Sequence, residues 1–106
     1  MVVSIEQAPA ISCMIEAQRV GGSLRLRGAI LSLQQASGSY RLEIVKESGG
    51  GASNIRQSGD FTASVNLPTL VGSTTVDFAP GARIKALLTV NAADRSYQCS
   101  FDNEAQ

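Results

Sequence analysis

The chain of 106 residues contains no histidine. The commonest general base near neutral pH is therefore missing, and so is the commonest metal ligand. Tryptophan is also absent, and there are only two cysteines, Cys13 and Cys99. Two thiols cannot build a four-ligand zinc centre, and their wide spacing rules out a C-x-x-C redox pair. No serine sits in a G-x-S-x-G elbow, and neither Lys46 nor Lys85 has the context of a Ser-Lys pair. The run Gly49–Gly51 lacks the Lys-Ser/Thr that completes a phosphate loop. No D-x-D-x-D-G stretch offers a calcium loop. These absences argue against catalysis and against any cofactor or metal.

Charge of one sign is lacking too. The formal net charge is zero and the sequence pI is about 6.2. A nucleic-acid binder needs a basic stripe to displace counterions, so that class is disfavoured. No apolar run approaches the roughly 18–20 residues that cross a bilayer, so no membrane insertion is expected. The start, Met1-Val2-Val3-Ser4-Ile5-Glu6, has neither a basic region nor a long apolar stretch. The protein is then either cytosolic or read here after removal of a leader; the cysteines favour the second. Hydrophobic residues make up 43% of the chain, enough for a globular core. The length fits one domain spanning 1–106, with an ordered core over about 11–102.

What is present is a period of two. Ile11, Cys13, Ile15 and Ala17 alternate with polar neighbours, with Met14 the exception, until Gly21-Gly22 marks a turn. Leu24 and Leu26 alternate with Arg25 and Arg27; the pattern slips at Ile30-Leu31, as a bulge would produce. Tyr40, Leu42 and Ile44 alternate with Arg41 and Glu43, and Ser48–Gly51 reads as a hairpin loop. Asn54–Gln57 reads as the returning strand. Phe61, Ala63, Val65 and Leu67 alternate up to Pro68. Thr74–Phe78, Arg83–Val90 and Ser96–Phe101 supply three further strands, and Asp102–Gln106 is expected to fray. No segment holds a 3.6 period. The pattern predicts an all-β, immunoglobulin-like antiparallel β-sandwich of seven to eight strands.

Cys13 shares a parity with Ile11 and Ile15, and Cys99 with Tyr97 and Phe101, so both point inward. That leaves a structural disulfide or two packed thiols. The disulfide is favoured in an oxidising compartment, where so long a loop would stabilise by roughly 4–5 kcal/mol in the chain-entropy model.

The basic residues suggest a binding face. By parity, Arg41, Arg83 and Lys85 point outward from strands that neighbour each other in this fold class. Val45 and Leu87 share that face, with Ile55 expected to join them across the hairpin and Arg56 and Lys46 nearby. The expected result is a patch that is apolar in the middle and cationic at the rim. Such a patch would speed encounter with an acidic partner and be weakened by salt. Arg25 and Arg27 form a second row on the opposite sheet.

The stretch Gly38-Ser39-Tyr40-Arg41-Leu42-Glu43-Ile44-Val45-Lys46, then Gly49–Gly51 followed by Ala52-Ser53-Asn54-Ile55-Arg56-Gln57-Ser58-Gly59-Asp60-Phe61, resembles the curli assembly chaperones of the CsgC/CsgH type. It is most similar to the CsgH branch, and the resemblance continues through Pro80-Gly81-Ala82-Arg83-Ile84-Lys85 over roughly residues 11–102. The glycine-rich hairpin with Ile-Arg-Gln-Ser-Gly-Asp-Phe is its most specific part. The resemblance implies a periplasmic, monomeric chaperone. Its partner would be the unfolded curli-type amyloid subunit, kept from polymerising before export. The CsgC branch carries a Cys-x-Cys pair, whereas the comparable Ala29-Ile30-Leu31-Ser32-Leu33 has no cysteine. Thiol exchange is therefore a lesser alternative, as is a structural fimbrial or matrix subunit.

Overall fold

A computed structural model describes residues 11–48, 51–78, 80–92 and 94–104. Seven strands follow one another: β1 (Ile11–Val20), β2 (Ser23–Ser32), β3 (Ala36–Ser48), β4 (Gly51–Ala63), β5 (Thr69–Asp77), β6 (Arg83–Ala92) and β7 (Arg95–Glu104). They form two antiparallel sheets, ordered β1-β2-β5 and β4-β3-β6-β7, packed as an immunoglobulin-like sandwich.

Alternation explains each strand. Leu24, Leu26 and Ile30 of β2, Leu42 and Ile44 of β3, and Ile84, Leu88 and Val90 of β6 all point between the sheets and are buried. Each such side chain is worth about 1.5–3 kcal/mol of transfer free energy. The two central strands, β3 and β6, therefore anchor the larger sheet. Their close approach depends on Gly38, where a Cβ would overlap the Asn91 carbonyl oxygen.

The slip expected at Ile30-Leu31 is not in β2, whose even positions from Leu24 to Ser32 stay buried throughout; the bulge is in its partner β5. The register shifts between Arg27 and Gly28, because β5 carries the extra residue Gly72 opposite them. Gly72 has φ +68°, which favours glycine. Asn54–Gln57 and Phe61 belong to one continuous strand, β4, which stops at Ala63. The alternation that carries on through Val65 and Leu67 is not a strand. The Asn66 N–H donates to the Ser32 carbonyl at 2.9 Å and Asn66 turns to φ 58°, which ends the β4 ladder. Of the residues expected to fray, Asp102–Glu104 stay paired with β6, and 105–106 lie outside the described residues.

Cys13 of β1 and Cys99 of β7 are joined by a disulfide, 86 positions apart in sequence and with Cα atoms 6.0 Å apart. It ties one edge of the smaller sheet to one edge of the larger. At the opposite edge of the sandwich, Gln57 of β4 reaches Ser73 of β5.

Candidate functional site

The register of the larger sheet fixes what its outer face presents. On β3 it is Arg41, Glu43, Val45 and Glu47, since Leu42 and Ile44 face the core. Their β6 neighbours are Thr89, Leu87, Lys85 and Arg83. Their β4 neighbours are Ser58, Arg56, Asn54 and Ala52. Next to β6, β7 contributes Gln98, Ser100 and Asp102. Arg41, Val45, Arg56, Arg83, Lys85 and Leu87 are thus brought together on one side of one sheet.

Two expected members are not on it. Ile55 pairs with Ile44 and packs against the core, and Lys46 pairs with Ile84 and Ser53 on the same core-facing side. The Ser48↔Gly51 pairing sets this phase: odd positions of β3 lie opposite even positions of β4, so Arg56, and not Ile55, is beside Glu43.

The rim is also less cationic than expected. Arg83 donates to both carboxylate oxygens of Asp102, at 3.2 and 2.9 Å, and Arg41 lies 3.7 Å from Glu43. The Arg83 hydrogen bonds hold the Asp102 carboxyl below its ordinary pKa. Desolvation opposes this lowering, and the Arg83 and Lys85 charges add to it. Arg56 and Lys85 make no ion pair among the described residues. The face is therefore a mosaic of both signs around the diagonal pair Val45 and Leu87, which are half-buried.

Arg25 and Arg27 sit on the outer face of the smaller sheet, where Arg27 Nε meets Glu16 Oε2 at 2.8 Å. That face holds an apolar surface that parity reading missed. Met14, Ala29 and Leu70 form one row across β1, β2 and β5, with Leu31 one step along and Leu67 in the loop before β5. Met14 is 57% exposed and Leu70 53%, while Ala29 between them is only 5% exposed. Large apolar side chains thus cover a small one and are themselves left facing solvent. The signal in the sequence was the off-parity Met14 and Leu31, each of which breaks the alternation of its strand.

Among the described residues no cluster of three or more His, Cys, Asp or Glu could hold a metal. Among the same residues no helix is long and apolar enough to cross a membrane.

Comparison with known proteins follows the same lines. The family model described as CsgH protein matches residues 12–102. The solution structure of R. palustris CsgH is 34% identical, with 87% of this chain and 91% of that one covered and a TM-score of 0.76. The E. coli curli protein CsgC shares the fold at 14% identity and a TM-score of 0.75, covering 86% of this chain and 97% of its own. No curated protein matches the chain. The match over 12–102 and the identity to R. palustris CsgH together show that this chain belongs to the CsgH family.

Proposed function

We propose that the protein is a periplasmic chaperone that delays amyloid formation by the unfolded curli subunit, acting by weak contact and without catalysis. The observation that carries this reading is family membership over nearly the whole described chain, which ties it to curli. The Cys13–Cys99 disulfide supports an oxidising, extracytoplasmic setting. The absence of histidine from the sequence and the mixed-charge sheet face support binding over chemistry.

Physically, an amyloid subunit nucleates by pairing strand edges. A folded β domain that briefly touches chains as they form the first, rare strand-paired nuclei interrupts them, and because nuclei are few it can do so in molar deficit. Arg56 and Lys85 supply attraction for an acidic segment, which is short-ranged at physiological salt. The test is thioflavin-monitored assembly of a curli subunit with this protein in large molar deficit. A lengthened lag supports the reading, and an unchanged lag refutes it.

A further inference from the structure

Two sheets have four strand edges, and three of them are obstructed. β1 and β7 are drawn together by the disulfide, with Cα atoms 6.0 Å apart. Stacked sheets normally stand about 10 Å apart, so neither backbone edge is clear there. β1 also carries Arg19 on its core-facing parity, opposite Leu24, with its guanidinium 5.4 Å from the Phe78 ring. An inward-pointing charge on an edge strand discourages a further strand. β5 is interrupted by the bulged Gly72, and next to it the Gln57 side chain donates to the Ser73 carbonyl and accepts from the Ser73 N–H. A carboxamide there takes the place of a neighbouring strand's peptide group.

β4 has none of these devices. It pairs with β3 in unbroken register from Ala36↔Ala63 to Ser48↔Gly51. It contains no proline and no lysine, and its core-facing positions Gly51, Ser53, Ile55, Gln57 and Gly59 carry no charge. Gly51, Ala52, Ser53 and Asn54 are exposed on both faces, and Arg56 is exposed beside them. On this side of Gln57 the strand presents main-chain donors and acceptors at strand spacing, which only another extended backbone can match.

We infer that the Gly51–Arg56 edge of β4 is where the client adds as a strand. The inference rests on the chaperone reading and specifies its mode as β-augmentation. The side chains beside the docked strand would be Ala52, Asn54 and Arg56 on the outer face. They fit an extended, polar segment of an unfolded chain, one with small or carboxamide side chains and a carboxylate opposite Arg56.

The test is amide hydrogen exchange on the isotope-labelled protein mixed with freshly desalted, unfolded curli subunit, alongside the lag-time assay. Exchange within Ala52–Arg56 should slow, with β1, β5 and β7 unchanged. Ser53→Lys places a charge on the core-facing side of this exposed edge. It should return the lag time to that of the subunit alone without altering the circular dichroism spectrum. A lengthened lag with protection elsewhere and none in β4, or full inhibition by Ser53→Lys, overturns the edge assignment alone. No change in any amide together with an unchanged lag overturns the chaperone reading and this assignment with it.

Discussion

Gln57 and Ser73 join the two sheets through a pair of hydrogen bonds: the side-chain amide donates to the Ser73 carbonyl and accepts from its N–H, each at 3.0 Å. A residue of one sheet thereby satisfies the backbone of the other at a strand edge. Replacing Gln57 with Ala should cost about 1 kcal/mol, since exposed bonds are partly replaced by water. Gln57→Glu keeps an acceptor for the Ser73 N–H but not the donor, so it should fall between. Urea unfolding of the three proteins checks the order. The Ala variant should also self-associate more at high concentration, because its β5 edge is opened.

The opposite side of the sandwich depends on the Cys13–Cys99 disulfide. Its long loop makes the entropic effect large, about 4–5 kcal/mol in the chain-entropy model. The double variant Cys13→Ser, Cys99→Ser should unfold at markedly lower urea. Reduction of the parent with dithiothreitol should bring its midpoint to the same value. A midpoint that reduction leaves unchanged would show that the clamp contributes nothing.

The Arg83–Asp102 pair gives a pH prediction. The folded-state pKa of Asp102 is lowered, chiefly by its hydrogen bonds from Arg83. A group depressed in the folded state adds stability above its unfolded pKa, and that contribution is lost as pH falls through the folded value. The effect is confined to acid pH below the ordinary carboxylate range. In a carbon-detected NMR titration Asp102 should titrate below the ordinary aspartate value, and Arg83→Gln should raise it towards that value.

Charge on the outer face of the larger sheet is tested by choosing cations by their partners. Arg56→Glu with Lys85→Glu should weaken client binding by several-fold, more so at low salt, because neither residue is held in an ion pair among the described residues. Arg41→Gln should matter less, since Glu43 lies 3.7 Å from it. Equal losses in both variants, measured by fluorescence titration against labelled subunit, would show that the ion pairing is irrelevant to recognition.

The strands were legible because both faces of this sandwich are written in alternating residues; Leu42, Ile44, Ile84, Leu88 and Val90 identify the core without any structure. The register was not. Whether Ile55 or Arg56 shares a face with Val45 depends on the Ser48↔Gly51 pairing, and a shift of one residue exchanges the faces. Placing Ile55 on the outer face followed from that ambiguity, whereas Lys46 shares the parity of Leu42 and Ile44 and so lies on the core-facing side whatever the β4 register. The end of β4 was equally hidden, because Val65 and Leu67 prolong the alternation past a turn made by a long-range bond from Asn66 to Ser32. The Met14–Leu31–Leu70 surface was unreadable for another reason. Met14 and Leu31 each looked like a local irregularity, and only the β1-β2-β5 pairing gathers them with Leu70.

The central claim is that this domain holds an unfolded curli subunit back from polymerising. Dye fluorescence can be altered by displacement alone, so the most direct measurement is of soluble subunit. Freshly desalted subunit is incubated with the protein in large molar deficit and centrifuged at the time when the subunit alone has fully pelleted. The account predicts that most of the subunit remains in the supernatant. Subunit that pellets as fast as it does with an unrelated β-sandwich of similar size and net charge would contradict it.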